Sequence, residues 1–286
     1  MPRAPLLRSA RQSRGAPPGR WGVMEWPLRG DGSVIRCEVQ LRWADVDELG
    51  HVNNVAYAAY FEDAHHRLLN ARADAVGEHP WAVRRQEISY LSPLMFGTGS
   101  TVATRAWLDA TQGEPVVLAE LFEDAPGEQR VLARSRVVLG PSPGQGRGRA
   151  PALDPNLVER AHHSAAAVRF ADLSPQGVVA DTAVFEYLQE ARIALMAQMD
   201  LEPTSTVVAH KDVDFHRPDL AQSVALDVWS WVSRIGNRSM TIDSVVAHGD
   251  TAFARGSSTL VFFDARTQRS VTPSPTVTQA LRSRQL

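Results

Sequence analysis

The sequence predicts an α+β fold made of two tandem copies of one unit, in each of which an antiparallel sheet wraps around one long helix. Three observations lead to this fold class. The 286-residue length corresponds to about two domains of roughly 150 residues. An internal repeat relates the two halves. Each half also combines one apolar helical stripe with stretches of alternating polarity, and such a helix is buried among antiparallel strands only if the sheet curls around it.

The internal repeat is the strongest of these observations. Residues 41–66 align without a gap on residues 168–193, at an offset of 127 positions. Identical aligned pairs include Arg42/Arg169, Ala44/Ala171, Asp45/Asp172, Gly50/Gly177, Val52/Val179, Tyr60/Tyr187 and Ala64/Ala191. Since a fixed period of self-similarity is the mark of duplicated structure, the halves are interpreted as two copies of one fold.

Each copy opens with a strand and a helix. In the first copy, apolar residues alternate with polar ones from Cys37 to Trp43, which predicts a half-buried strand that ends near Trp43. The stretch 54–70 then predicts a helix with Asn53 as its N-cap. One helical stripe carries its apolar residues: Tyr57, Tyr60, Phe61, Ala64 and Leu68.

Strands follow the helix in both copies. Alternating segments predict them at 101–108, 115–122 and 130–139 in the first copy, and at 223–231, 240–246 and 252–263 in the second. Residues 141–155 hold four prolines and three glycines, which sustain neither a helix nor a central strand. The predicted organisation is therefore a disordered N-terminal tail (1–30), a first domain (31–140), a linker (141–157) and a second domain (158–286).

Composition excludes several classes of function. Thirty basic and thirty-two acidic residues leave a net charge of -2, which argues against nucleic acid as a partner. The single Cys37 forms no intramolecular disulfide and no cysteine metal cage. No stretch has the roughly 20 apolar residues of a membrane-spanning helix, so no membrane insertion is expected. A soluble, cytoplasmic protein is predicted.

Polar residues cluster where the first long helix begins. They are Asp45, Asp47, His51, Asn53 and Asn54, and Gly50 among them permits a tight approach. A helix N-terminus offers unpaired N–H groups and a partial positive charge, which suit a carbonyl oxygen that becomes an oxyanion. A carboxylate beside that point activates water or attacks directly, so the cluster indicates acyl transfer.

The string RWADVDELGHVNNVAYAAYFE, residues 42–62, resembles the signature of the 4-hydroxybenzoyl-CoA thioesterase-like family of hotdog-fold enzymes. The signature joins DxDxxGHVNN to a YxxYxE helix at fixed spacing. Residues 254–273 of the second half are similar to the closing strand of that family. With the internal repeat, the resemblance implies a tandem double hotdog, in which the two halves form the equivalent of a family dimer within one chain.

The resemblance implies roles for individual residues. Asp47 is expected to be the catalytic carboxylate, the backbone N–H of Asn54 to form the oxyanion hole, and Gly50 to open the approach to that N–H. His51 is either a proton relay or a hydrogen-bonding loop residue. Glu62 either pairs with His66 on the helix surface or supplies the helix acid that some hotdog thioesterases use as a base.

Other residues near the helix start are expected to have mainly structural roles. Asn53 is expected to cap the helix more than to contact substrate, and Tyr57 to be a core residue whose hydroxyl faces the substrate. Asp45 is expected to have a structural role more than a catalytic one, either capping the loop or pairing with Arg42, since the pair Asp172 and Arg169 recurs in the second copy.

The second copy departs from the signature at the positions that carry chemistry. Ser174, Val178, Ala180 and Val184 replace Asp47, His51, Asn53 and Tyr57. Its loop 236–239, however, resembles the family loop near the bound thioester. The sequence therefore predicts one composite site, with the carboxylate from the first copy and walls around Asn237 and Ser239 from the second.

The predicted activity is hydrolysis of acyl-CoA to a free acid and CoA, within lipid metabolism. An acyl-ACP thioesterase is the first alternative, with acyl carrier protein as a partner, and a non-catalytic acyl-CoA-binding module is the second. No cofactor beyond the CoA of the substrate is expected. No metal is expected either, because adjacent histidines such as His65 and His66 point in different directions on a helix. Association into a larger homo-oligomer stays open.

Overall fold

A computed structural model describes residues 34–72, 81–97, 101–109, 115–125, 128–141, 152–175, 177–216 and 225–286. The predicted N-terminal tail lies outside the described residues, as does most of the predicted linker.

The described residues of the first repeat form five strands and one long helix. In chain order they are β1 Ile35–Val39, α1 Asn54–Ala71, β2 Trp81–Tyr90, β3 Thr101–Asp109, β4 Val116–Ala125 and β5 Glu128–Pro141. The second repeat follows the same order after a short helix: α2 Pro155–Arg160, β6 His162–Ala167, α3 Asp181–Ala197, β7 Thr206–Phe215, β8 Ala225–Ile235, β9 Ser239–His248, β10 Thr251–Asp264, β11 Arg269–Ser270 and α4 Pro275–Ser283.

All eleven strands belong to one antiparallel sheet. Its order is β1-β3-β4-β5-β2-β7-β10-β9-β8-β6, with β11 added to β10, so each half of the path repeats the other in reverse. The halves meet where β2 pairs with β7, in a register that sets Ile88 opposite Lys211. At this seam the Arg85 guanidinium donates two hydrogen bonds to Asp212, at 3.0 and 2.6 Å.

The two long helices pack side by side in one continuous apolar core. Tyr57, Phe61, Ala64 and Leu68 of α1 are buried, as the helical stripe predicts, while Tyr60 is half-buried. The predicted α+β class, with one long helix against each half of the sheet, is confirmed. No helix in the described part of the chain combines the length and the apolar character needed to cross a bilayer.

Three details differ from the predictions. Strand β1 ends at Val39 because residues 43–45 form a 3-10 turn that leaves Trp43 77% exposed. Strands β2 and β7, which join the repeats, were not predicted. Helix α2 begins inside the predicted linker, because Asp154 caps it and Pro155 at its first position is preset for helical φ.

Candidate active site

The loop before α1 is fixed to the helix by Asp45. Its Oδ2 accepts hydrogen bonds from the backbone N–H of Arg42 at 3.1 Å and from the hydroxyl of Tyr60 at 2.7 Å. The same arrangement recurs in the second repeat, where Asp172 accepts from the Arg169 N–H and, at 2.7 Å, from the Tyr187 hydroxyl. The predicted structural role of Asp45 is therefore confirmed.

Asp47 sits in a tight turn that orients its carboxylate. Its N–H donates to the His51 carbonyl at 2.8 Å, and its own carbonyl accepts from Gly50 N–H at 3.0 Å. Oδ1 accepts from the N–H groups of Leu49 at 2.9 Å and His51 at 3.1 Å. These bonds hold one carboxylate oxygen in the turn, and among the described residues no donor contacts the other oxygen, Oδ2.

Gly50 is required by the backbone of this turn. Its φ is +73°, in the left-handed region that glycine adopts without strain. A Cβ built at this position meets no protein atom within 4 Å. The glycine therefore serves the turn geometry and not a close approach between protein segments.

One backbone donor in the first turn of α1, the N–H of Asn54, is left without an acceptor among the described residues. The Asn53 N–H donates to the Asp45 carbonyl at 2.7 Å, and the Asn53 side chain accepts from the Val55 N–H at 3.3 Å, which confirms Asn53 as the N-cap. Within the described residues, the Asn54 N–H between them has no acceptor. A free donor at a helix N-terminus is suited to stabilise an oxyanion.

A pocket of about 620 Å³ lies between the two repeats at this helix start. This volume is in the usual range for small-molecule sites. The first repeat contributes the wall at 46–49 and 51–54 with Tyr57 and 90–93. The second contributes Gln189, Arg192, Ile193, 203–204, 206–209, Phe263 and Gln268. The Asn54 side chain crosses between the repeats, since its Nδ2 donates to Gln189 Oε1 at 2.9 Å.

Two further predicted residues, His51 and Tyr57, line this pocket together with Asp47 and Asn53. His51 is buried, and its backbone bridges to Met95. The buried Tyr57 hydroxyl accepts a hydrogen bond from the Leu94 N–H at 3.2 Å, and its ring packs edge-on against Tyr90. Burial raises the pKa of Tyr57 well above its usual value, so this residue is neutral at working pH.

Sequence comparison identifies the family of this chain. A model of the thioesterase-like superfamily matches residues 41–160 and again 168–281, which covers both repeats. The chain belongs to the thioesterase-like superfamily. It is accordingly a thioester hydrolase, and both repeats have the fold of that superfamily.

Solved structures share the tandem arrangement of this thioesterase. A candidate oleoyl thioesterase from Lactobacillus plantarum is 12% identical, with a TM-score of 0.64 over 82% of this chain and 98% of that one. The 12:0-ACP thioesterase from Umbellularia californica is 14% identical, with a TM-score of 0.59 over 79% of this chain and 96% of that one. At such identities the likeness shows the fold alone. Comparison with curated protein sequences finds no match.

Three predicted site residues lie away from the Asp47 pocket of the thioesterase. Glu62 of α1 hydrogen-bonds to Thr182 in the first turn of α3, and burial raises the pKa of Glu62. The start of α3 corresponds, in the second repeat, to the start of α1. Asn237 lines a separate cavity beside α4. The carbonyl of Ser239 closes the β8–β9 turn by accepting from Gly236 N–H at 2.7 Å. The hairpin tip lies beyond β10, where the Arg238 carbonyl accepts from the Phe262 N–H, so it does not line this pocket.

The second repeat of the thioesterase keeps the backbone turn but not the carboxylate of Asp47. The Ser174 N–H donates to the Val178 carbonyl at 2.7 Å, and Gly177 has a φ of +76°. Ser174 offers a hydroxyl in place of a carboxylate, and Ala180 provides no side-chain cap for α3. Among the described residues, no three His, Cys, Asp or Glu side chains are grouped as metal ligands.

The second-repeat wall of the pocket was missed by sequence reasoning. Gln189 and Arg192 lie three residues apart on α3, and the aligned positions in α1 are Glu62 and His65. The repeat alignment contains these pairs, but only the packing of α1 against α3 shows that each helix faces the loop of the other repeat.

Proposed function

We propose that this chain hydrolyses acyl-CoA thioesters to a carboxylic acid and CoA in the pocket between the repeats. The observation that supports this most directly is that one pocket wall contains the Asp47 carboxylate and the start of α1. The opposite wall comes from the second repeat and is joined to the first by the Asn54–Gln189 hydrogen bond.

In the proposed reaction, the thioester carbonyl oxygen accepts a hydrogen bond from the Asn54 N–H. The partial positive charge of the helix N-terminus stabilises the negative charge that develops on this oxygen. Asp47 either takes a proton from the attacking water or attacks the carbonyl carbon itself to form an anhydride, which water then hydrolyses to the free acid and Asp47. The new C–O bond forms, the C–S bond breaks, and the departing thiolate of CoA takes up a proton.

The test is release of free thiol from acyl-CoA panels that include short, long and aromatic acyl groups. Asp47→Asn should lower kcat by about 10² to 10⁴, the usual contribution of a general acid or base. Ser174→Ala is the matched control, because it changes the equivalent position in the turn of the second repeat. It should keep turnover within about twofold of the wild type, since one pocket carries the chemistry.

Two results would contradict this proposal. One is equal activity of Asp47→Asn and the wild type. The other is a large loss in Ser174→Ala, which would mean that the second turn also takes part.

Acyl carrier protein is the second candidate carrier. Solved structures with the same tandem arrangement include proteins described as a 12:0-ACP thioesterase and as an acyl-ACP thioesterase. The panel therefore contains each acyl group on CoA and on acyl carrier protein. A higher kcat/KM for every carrier-protein substrate would replace CoA in the proposal and leave the role of Asp47 unchanged.

Isotope labelling separates the two roles of Asp47. In a single turnover with excess enzyme in ¹⁸O water, a nucleophilic carboxylate transfers one of its own unlabelled oxygens to the acid product when water opens the anhydride at the Asp47 carbonyl, so an unlabelled acid identifies Asp47 as the nucleophile. A general base directs water to the carbonyl, so the product carries the label after the first turnover. Mass spectrometry of the released acid gives the answer.

A further inference from the structure

The pocket contains a buried cation that the proposed hydrolysis does not use. Arg192 of α3 lines the pocket and is only 7% exposed. Among the described residues, no acceptor bonds to its Nε, and no carboxylate forms an ion pair with its guanidinium. Burial lowers the pKa of Arg192 to about 10, so it is charged at neutral pH. A buried charge without a partner is strongly unfavourable, and proteins that keep one usually pair it with a bound ion or ligand.

The charged and titratable groups around Arg192 do not neutralise it. Glu190 is exposed on the same helix. Tyr90, on β2, is kept neutral because burial raises its pKa. Lys211 of β7 is a second buried amine, but its Nζ donates to the Phe185 carbonyl at 3.0 Å and lies 5.0 Å from the Phe185 ring. Burial lowers the pKa of Lys211 well below its usual value. Lys211 therefore differs from Arg192 in having a hydrogen-bond acceptor of its own among the described residues.

Two more buried polar atoms on the pocket wall have no hydrogen-bond partner in the part of the chain that the structure describes. They are Thr206 Oγ1 and Asn54 Oδ1. A hydroxyl and a guanidinium on one wall form a donor set that matches a carboxylate, which guanidinium groups bind through two parallel N–H···O bonds.

The position of Arg192 separates this donor set from the reacting carbonyl. Gln189, which bonds to Asn54, precedes Arg192 by three residues on α3. A helix rises about 1.5 Å per residue, so their backbones are about 4.5 Å apart along the axis. Because Arg192 is buried, an anion that reaches it belongs to the acyl group inside the pocket. The phosphates of CoA, which stay in water, are not expected to reach it.

We propose that Arg192, with Thr206, forms a subsite for a carboxylate at the far end of the acyl group, so that the preferred substrates are thioesters of dicarboxylic acids. This proposal rests on the proposed hydrolysis for its kinetic test, and it names the substrate class of that same pocket. The anionic oxygens would complete the hydrogen bonds that Arg192 and Thr206 lack.

The kinetic test pairs substrates that differ only in charge. Each ω-carboxyacyl-CoA in a length series is compared with the unsubstituted acyl-CoA of equal carbon number by thiol release. We expect the wild type to prefer the carboxylate member by at least about tenfold in kcat/KM at its best length, since a site built for a polar group rejects analogues that lack it. Arg192→Met should abolish this preference, so that the ratio of the two kcat/KM values falls to about one. Arg192→Lys should keep part of it.

A binding test does not depend on hydrolysis. The urea midpoint of the wild type should rise with adipate and not with the uncharged hexanamide or with free CoA, and Arg192→Met should lose the adipate effect. Arg255→Met, which removes an exposed arginine of β10, is the control and should behave like the wild type. In the absence of ligand, Arg192→Met should be at least as stable as the wild type, because it removes an unpaired buried charge.

The outcomes distinguish the two proposals. If no thioester is hydrolysed but adipate stabilises the wild type through Arg192, the subsite stands and the hydrolysis proposal fails. If unsubstituted thioesters are preferred and Arg192→Met slows both classes equally, the subsite is refuted and hydrolysis stands. Stabilisation by free CoA that depends on Arg192 would also refute it, because the anion would then be a phosphate.

Discussion

His65 should make this protein sensitive to mild acid. It lies on α1 at the position aligned with Arg192, is 5% exposed, and its Nδ1 has no hydrogen-bond partner among the described residues. Burial, with a smaller contribution from His66, lowers the pKa of His65 to about 3. In the unfolded chain a histidine titrates near 6.5.

The sign and size of the effect follow from these two pKa values. Below pH 6.5 the unfolded chain binds a proton at His65 and the folded protein does not, so the stability present above pH 6.5 is lost as the pH falls toward 3. Each pH unit in this window corresponds to about 1.36 kcal/mol. Going from pH 7 to pH 5 should therefore cost about 2 kcal/mol of unfolding free energy at this one residue.

Urea unfolding at pH 7 and pH 5 measures this cost. Other groups titrate in the same range, so the informative quantity is the difference between the wild type and His65→Met, which should lose about 2 kcal/mol less. His66→Gln, which changes the exposed neighbour on the same helix, should lose nearly as much as the wild type. Equal losses in the wild type and His65→Met would refute the argument that this imidazole is buried in its neutral form.

The other predictions concern the loop glycines and the buried lysine. Gly50→Ala and Gly177→Ala should each destabilise the protein by about 1 kcal/mol, because both glycines have positive φ. Only Gly50→Ala should also reduce kcat in the thiol-release assay, and equal kinetic losses would contradict a single active pocket. Lys211→Met should raise stability at pH 7, because the unfolded chain protonates this lysine below about pH 10.5 while the folded protein resists it. That gain should shrink as the pH rises from 7 to 9 in urea unfolding, and a constant gain would mean that Lys211 is charged in the fold.

The parts of the fold that were predictable from sequence are those with a local signal. The helix stripe and the N-cap of α1 are properties of neighbouring residues, and the structure has both. Strands β2 and β7 have no comparable signal, because charged residues interrupt their alternation. Arg85 and Glu87 of β2 lie near the centre of the sheet because Arg85 forms ion pairs with both Glu87 and Asp212 of β7, and Asp212 is 127 positions away from Arg85. A residue whose burial depends on such a distant partner cannot be recognised from its own surroundings.

The candidate site divides in the same way. The turn with Asp47 and the helix start at Asn54 lie within one short motif, so their approach to each other was predictable. The opposite wall depends on how α1 and α3 pack against each other. This packing places Glu62 at the start of α3 and not in the Asp47 pocket. Asn237 and Ser239 were placed by likeness of a loop, and the position of that loop depends on β10 lying between it and the pocket.

Each long helix faces the loop of the other repeat, and this arrangement shows what a duplicated chain can do that a dimer of identical subunits cannot. Gln189 faces the Asp47 turn, while the aligned Glu62 faces the start of α3 near Ser174. Likewise the buried Arg192 faces one pocket while His65 occupies the aligned position. In a dimer of identical subunits, any side chain on this helix face is present in both sites. A cation that binds a ligand in one site is then also buried in the other, where an unpaired charge is unfavourable. A tandem chain removes that constraint, because each repeat carries its own residue. One pocket can then hold a carboxylate on its turn with a neutral amide and a guanidinium opposite, while the second half serves as the wall that completes it.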